Sequence, residues 1–72
     1  MTLQEGCTGS RYLVTQMKLP IETERRLESL GLMENGPVAV LRKKRKGPMV
    51  IKVRGTRFAI GPGISSRIEI KE

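Results

Sequence analysis

The chain has 72 residues, a formal net charge of +7 from fourteen Lys and Arg against seven Asp and Glu, no histidine and one cysteine. One domain of this length has a thin core, because a domain of about 60 residues buries only about 60% of the surface that its unfolded chain exposes. The single cysteine excludes a disulfide-stapled secreted fold, and one thiol without histidine excludes a Cys/His metal site.

The first half of the chain predicts one strand followed by one short helix. Strand-favouring residues fill Arg11–Met17, after a turn bracketed by Gly6 and Gly9. Pro20 then indicates a helix start, where its missing N–H costs little. We expect the helix to run to about Leu30.

The end of this helix is the most informative local signal in the chain. If Gly31 is the C′ residue, Leu27 falls at C3 and Leu32 at C″, the pair whose apolar contact accompanies a Schellman motif. A helix this short is marginal by itself, so packing must hold it. The side chains expected to provide that packing are Ile21, Leu27 and Leu30.

The next two segments predict a hairpin with a basic tip. Val38–Arg45 has the pattern of a strand, and Gly47-Pro48 marks a turn. The return strand alternates between two faces, as half-buried antiparallel strands do. One face carries Met49, Ile51 and Val53, and the other carries Val50, Lys52 and Arg54.

Two further strands are predicted after Gly55 reverses the chain. They are Arg57–Ile60, stopped by Gly61-Pro62-Gly63, and Ile64–Ile70, with Ile64, Ile68 and Ile70 on one face. Five short strands with tight turns are too few for a sandwich but suit a small, strongly curved barrel. The sequence therefore predicts a mainly β fold over residues 1–72: one barrel of about five antiparallel strands with one short α-helix inserted after the first strand.

The sequence offers no set of residues for catalysis. There is no Ser/His or Cys/His pair and no P-loop spacing. Three helix carboxylates, Glu22, Glu24 and Glu28, are the remaining candidates for a metal site, but first-turn acids commonly serve the helix dipole, and the interleaved Arg25 and Arg26 disfavour a cation. We expect no enzyme activity, no cofactor, no bound metal and no small-molecule substrate.

A soluble, unprocessed protein of the reducing cytoplasm is expected. No apolar run approaches the roughly 20 residues that span a bilayer, and the first residues lack the basic and apolar regions of a signal peptide. The single cysteine, Cys7, is expected to be a packing residue or a surface thiol rather than a nucleophile.

The basic tip is the strongest positive signal of function. Its five contiguous cations either form a solvated hairpin end that discourages aggregation or form a docking surface. Near an anionic membrane each charge contributes on the order of 1 kcal/mol, and on nucleic acid each would contact phosphates. The candidate basic partner-binding residues are Arg42, Lys43, Lys44, Arg45, Lys46, Arg54 and Arg57.

Few other side chains suggest a partner. Single-strand nucleic-acid binders stack bases on aromatic residues; Phe58 shares a face with Ile60 and is expected in the core, which leaves only Tyr12. At the helix-to-strand corner, Leu32 and Met33 either complete the helix end and fill a gap, or contact a partner.

The order of these motifs resembles that of a known family. The motifs are Arg26-Leu27-x-x-Leu30-Gly31-Leu32, a Val-x-Val strand at Val38 and Val40, Gly47-Pro48, Val53-x-Gly55, and Phe58-Ala59-Ile60 closing on Ile68-x-Ile70. From Gly6 to Ile70 the chain resembles the FeoA family, small cytoplasmic proteins of bacterial ferrous iron transport. One departure is Glu34-Asn35, where the family commonly has Pro-Gly; Asn tolerates positive φ, so the turn can form.

The resemblance implies an SH3-like barrel with a helix after the first strand, and an accessory role at the cytoplasmic face of FeoB, the GTP-driven Fe(II) permease. Contact with the anionic membrane around the permease is also expected. A nucleic-acid-binding barrel of the ribosomal or translation type is the alternative. The same domain occurs at the end of some metal-dependent repressors of the DtxR type. A metal-sensing regulatory domain is the weakest of the three hypotheses, because the chain has no DNA-reading helix and no ligand cluster.

Overall fold

A computed structural model describes residues 1–72 and places five strands in one antiparallel sheet. The elements are a 3-10 helix at Leu3–Glu5, β1 Arg11–Met17, α1 Ile21–Ser29, β2 Pro37–Lys43, β3 Met49–Val53, β4 Thr56–Ile60, α2 Pro62–Ser65 and β5 Ile68–Lys71. Their order across the sheet is β4-β3-β2-β1-β5. The predicted mainly β class, with a short helix after the first strand, is confirmed.

The core is almost entirely aliphatic and is formed by the inward faces of the strands. Leu3, Leu27 and Leu32 close it from outside the sheet, and Leu19, Phe58 and Ile64 pack against its margin. The buried strand residues are Tyr12, Val14, Met17, Val38, Val40, Met49, Ile51, Val53, Ile60, Ile68 and Ile70. Met49, Ile51 and Val53 face inward, as the alternation of their strand predicts.

The prediction of one strand over Ile64–Ile70 is wrong in its first half. Pro62–Ser65 forms α2, and β5 begins only at Ile68. Pro62 occupies the first helical turn, where its fixed φ favours a helix and its missing N–H leaves no gap in a ladder. Ser65 is fully buried and donates its hydroxyl hydrogen to the Gln4 side chain, so α2 seals the end of the barrel against the N-terminal segment.

The helix end at Gly31 has the predicted Schellman geometry. The Leu32 N–H donates to Leu27 O at 3.0 Å, the Gly31 N–H donates to Glu28 O at 2.9 Å, and Gly31 has a φ of 101°. Leu27 and Leu32 are both buried. The following turn also forms, since Asn35 takes a φ of 65° and donates its N–H to Val14 O at 2.7 Å.

The expectation that three apolar side chains hold α1 is wrong for two of them. Leu27 is buried, but Ile21 is 58% exposed and Leu30 is 40% exposed. Ile21 and Leu30 lie about two and a half turns apart at ~3.6 residues per turn, so they fall on opposite sides of the helix. One side chain within α1, with Leu19 and Leu32 flanking it, therefore holds the helix to the sheet.

The N-terminal segment covers the outer edge of β5. Thr2 bridges to Glu69, and the Ile70 N–H donates to Met1 O at 2.8 Å. Glu5 accepts hydrogen bonds on Oε1 from the Thr2 N–H at 2.7 Å and the Thr2 hydroxyl at 3.2 Å. These bonds, the backbone one first, hold the pKa of Glu5 below its ordinary value of 4.5.

Replacement of Gly31 should destabilise the protein through the backbone. We expect Gly31→Ala to lower the free energy of unfolding by about 1–2 kcal/mol, because an L-residue is strained at positive φ, and its Cβ would stand 3.3 Å from Val53 Cγ1. Urea unfolding measures this. Gly63→Ala is the matched control: Gly63 has nothing within 4 Å of an added Cβ and no positive φ. Equal effects would contradict the argument.

Glu5 should account for part of the loss of folding stability at acid pH. Because the pKa of Glu5 is lower in the folded than in the unfolded protein, its stabilisation is complete above the unfolded-state pKa and is lost as the pH falls through the folded-state pKa. We expect Glu5→Gln to flatten the fall in Tm between about pH 6 and pH 3, measured by circular dichroism. Glu34→Gln, which removes an exposed carboxylate without a hydrogen bond, serves as the control; a wild-type slope in Glu5→Gln would refute the role of Glu5.

Candidate functional site

The predicted basic tip lies at the turn between β2 and β3. Arg42 and Lys43 end β2, and the exposed turn that follows carries Lys44, Arg45 and Lys46, the last with a φ of 58°. The register between β2 and β3 shifts between Val40 and Arg42, which makes Leu41 a bulge residue. A bulge reverses which face the later residues occupy. Arg42 therefore pairs with Val50 on the outer face, and Lys43 pairs with the buried Met49.

This reversal gives Lys43 a structural contact. Its Nζ donates to Gln4 O at 3.1 Å and to Gly6 O at 2.9 Å. Lys43 thus ties the tip to the N-terminal segment, whereas the side chains of the other four cations make no hydrogen bond within the protein. We use "the tip" below for Arg42, Lys44, Arg45 and Lys46.

A second group of cations lies side by side across the outer face of the sheet. Arg11 pairs with Ala39, Ala39 with Lys52, and Lys52 with Arg57. Neighbouring strands are about 4.8 Å apart, so three cations and one small residue form a row across four strands. Arg57 was a predicted candidate, but Arg11 and Lys52 were not, because only the register places them beside it.

A shallow groove of about 200 Å³ runs along this row. Its lining is Arg11, Pro37, Val38, Ala39, Lys52, Arg54 and Gly55. Arg54 and Gly55 form the turn between β3 and β4 and both have positive φ, 50° and 84°. The Arg54 side chain lies over Gly31, where an added Cβ would be 3.5 Å from Arg54 Cδ. The groove therefore adjoins the helix end.

The predicted basic residues consequently belong to two surfaces. The tip is at one end of β3, and Arg54 is at the other, about 15 Å away along a strand that rises ~3.4 Å per residue. We call the second group, which consists of Arg11, Lys52, Arg54 and Arg57, the groove surface. No Lys or Arg side chain of either surface lies within 4.0 Å of a carboxylate; the one ion pair in the protein joins the Met1 amino group to Glu69.

The apolar and aromatic candidates are less exposed than the sequence suggests. Leu32 is fully buried and completes the helix end, so of that pair only the half-buried Met33 offers accessible surface. Tyr12, the aromatic expected to be available, is only 7% exposed, and its hydroxyl accepts the Cys7 N–H at 2.8 Å. Phe58 is half-buried against the core as expected. The Cys7 residue itself is exposed.

The carboxylates of α1 remain on its surface. Glu22 and Glu28 are exposed and Glu24 is half-buried, and no group of three or more His, Cys, Asp or Glu side chains is placed to hold a metal ion. None of the helices has the length and apolar character required to cross a membrane.

Comparison with known proteins gives the family. The sequence model of the FeoA domain matches residues 1–72. The chain belongs to the FeoA domain family. This family consists of small accessory domains and is not a known enzyme family, and membership supports a role in ferrous iron transport. None of the curated proteins searched matches the sequence significantly.

Solved structures confirm the SH3-like fold of this FeoA domain. The crystal structure of an iron uptake regulatory protein (FeoA) is 31% identical, with a TM-score of 0.89 over 99% of this chain and 95% of that one. The solution structure of FeoA from Chlorobium tepidum is 28% identical, with a TM-score of 0.90 over 99% of this chain and 69% of that one. A structure of ScaR with bound Zn²⁺ is 18% identical, with a TM-score of 0.84 over 100% of this chain and 36% of that one, and supports the fold alone.

Lys43 should differ from its neighbour Lys44 in its effect on stability. We expect Lys43→Met to lower the free energy of unfolding by about 1 kcal/mol, because two backbone carbonyls lose a charged donor. Lys44→Met removes the same charge from an exposed turn and should change it by less than about 0.5 kcal/mol. Urea unfolding of the two variants measures the difference, and equal free energies of unfolding would show that the Lys43 hydrogen bonds do not stabilise the fold.

Proposed function

We propose that this FeoA domain is a non-catalytic accessory protein of Fe(II) uptake that docks on the cytoplasmic part of an FeoB-type permease. The observation that supports docking is the presence of two exposed basic surfaces whose charges no intramolecular carboxylate neutralises. Such surfaces attract an acidic partner over several ångströms and orient it before contact. The tip makes the first electrostatic contact, and the half-buried Met33 adds apolar area at the helix-to-strand corner.

The chemistry of the groove supports binding without catalysis. Its charged side chains are Arg11, Lys52 and Arg54. Guanidinium and ammonium groups donate hydrogen bonds and stabilise anions, but at neutral pH they have no lone pair with which to accept a proton. The groove therefore suits recognition of carboxylate or phosphate groups.

The proposal also includes contact between the tip and the anionic lipid around the permease. At a membrane face, each Lys or Arg near the surface contributes about 1 kcal/mol of attraction. The tip projects from the end of a hairpin, so Lys44 and Arg45 can approach a flat surface while the groove surface remains available to a protein. In this arrangement the protein lies at the inner face of the membrane beside the permease.

The nucleic-acid alternative loses its aromatic support. Tyr12 has its ring buried and its hydroxyl bonded to Cys7, so it provides no platform for a base. The basic surfaces would still contact phosphates, and RNA and DNA binding is therefore measured as part of the same test.

Co-purification with an FeoB-type permease tests the proposal. We expect Lys44→Glu combined with Arg45→Glu to weaken capture roughly tenfold, and wild-type capture to fall steeply as salt rises, because exposed charges act mainly on association. Lys43 is left unchanged so that the tether and the fold remain intact. Arg25→Glu combined with Lys71→Glu is the matched control, since it changes the net charge by the same amount at two positions outside the tip, on α1 and β5.

Three outcomes would contradict parts of this proposal. Undiminished capture of the tip variant removes the tip from the interface. Failure of the wild-type protein to bind the permease at low salt overturns docking. Tight binding to RNA or DNA oligonucleotides with a steep salt dependence, together with no permease capture, makes the nucleic-acid alternative the function.

A further inference from the structure

The β4 strand presents an open edge. It occupies one end of the sheet and pairs only with β3. The opposite end of the sheet is covered, because Met1 and Thr2 pair with the outer side of β5. No backbone hydrogen bond of a turn, loop or cap involves residues 56–60, so the outer side of β4 has no partner within the chain.

The turn geometry identifies which backbone groups face outward. Arg54 and Gly55 form a two-residue hairpin turn with positive φ at both positions, as in type I′. In such a hairpin the residues flanking the turn, Val53 and Thr56, form a hydrogen-bonded pair. The following pairs alternate between the non-hydrogen-bonded and the hydrogen-bonded type. The Lys52–Arg57 and Val50–Ala59 pairs are consequently of the non-hydrogen-bonded type. The N–H and C=O groups of Arg57 and Ala59 therefore point away from β3.

Most features that protect an edge strand are absent from β4. Proteins usually blunt such edges with proline, a bulge, a covering segment or charge. Thr56–Ile60 contains no proline, and its pairing with β3 runs without a register shift, whereas shifts interrupt the β1–β5 and β2–β3 pairs. The one protective feature on β4 is the exposed cation of Arg57.

A positive charge at this position makes the edge selective. Two β4 edges paired antiparallel about Phe58 would place two Arg57 side chains on one face in diagonal positions, about 7–8 Å apart, with Lys52 of each copy behind them. Like charges at this range oppose self-pairing. A strand with a carboxylate opposite Arg57 would instead continue the row Arg11, Ala39, Lys52 and Arg57 with the complementary charge.

We propose that the β4 edge is a strand-addition site for an extended, acidic segment of a partner protein. The segment pairs with the outward N–H and C=O groups of Arg57 and Ala59. An Asp or Glu of the segment opposite Arg57 lies on the outer face, about 5 Å from β4 and about 10 Å from Lys52 on β3. The next residue faces inward beside the half-buried Phe58, so an apolar side chain fits there. The recognised pattern is an acidic residue alternating with apolar residues.

This inference rests on the proposed function only for the identity of the partner, because the binding event can be measured on the isolated protein. The full chain is titrated with a synthetic peptide of alternating Glu and Val. The comparison peptides are an alternating Lys and Val peptide and the Glu-Val peptide with a central Val replaced by Pro. Amide exchange by NMR reports the site: strand addition should slow exchange of the Arg57 and Ala59 N–H groups, which face solvent in the free protein.

Two variants separate the charge from the backbone. We expect Arg57→Glu and Ala59→Pro each to weaken Glu-Val peptide binding by about tenfold or more. Proline is tolerated on an edge where the N–H faces solvent, and Arg57→Glu keeps the test valid if Ala59→Pro does not fold. Lys71→Glu, on β5 at the covered end of the sheet, is the charge-matched control and should bind within about twofold of wild type.

Several results would overturn the site. The first is equal binding of the Glu-Val peptide and its Pro-containing form. The second is slowed exchange at amides other than those of Arg57 and Ala59. The third is protection of these two amides by an oligonucleotide, or by self-association of the protein, which sedimentation would detect. If peptides fail to bind while the tip variant loses permease capture, docking stands and strand addition falls. If peptides bind at β4 but the permease is not captured, the edge site stands and the permease proposal falls.

Discussion

The reversal of the chain at Gly31 is the constraint on which the rest of this small barrel depends. A positive φ at one residue ends α1 and allows Leu27 and Leu32, on either side of the turn, to enter the same core. In a chain with two aromatic residues, each fully buried aliphatic side chain is a large part of the stabilisation, at about 1.5–3 kcal/mol each. The same glycine leaves room for Arg54, which lies across it. The helix end therefore also shapes one margin of the groove.

Irregularities in the sheet decide which cations remain available for recognition. The bulge at Leu41 turns Lys43 toward the N-terminal segment and leaves Arg42 on the outer face. Where the pairing is regular, Arg11, Lys52 and Arg57 come into one row although they are distant in sequence. One stretch of basic sequence thus supplies both the Lys43 tether and four exposed cations. Residues from three strands form a surface that no stretch of sequence contains.

For the FeoA domain this arrangement separates two kinds of contact. The tip, at the end of a hairpin, suits long-range attraction to an acidic protein or lipid surface, because exposed charges act mainly on encounter and orientation. The groove surface and the β4 edge offer directional donors, which are the Arg guanidinium groups and the unpaired backbone N–H groups. Attraction by the first and selection by the second would suit the docking that we propose.

The sequence by itself determined the features governed by local chemistry. Gly31 with its two leucines, the turns at Asn35, Gly47 and Gly55, and the alternation in Met49–Val53 all follow from steric limits on φ and from the two-residue period of a strand. It also carried the motif order that identified the family. It mispredicted Ile64–Ile70, where a proline started a helix, and the packing of Ile21 and Leu30, because an apolar residue does not reveal which side of a helix meets the core. Only the tertiary structure decided the register, the burial of Tyr12, the tether at Lys43 and the open edge of β4. These depend on pairings between segments distant in the chain, which the pattern within one segment does not specify.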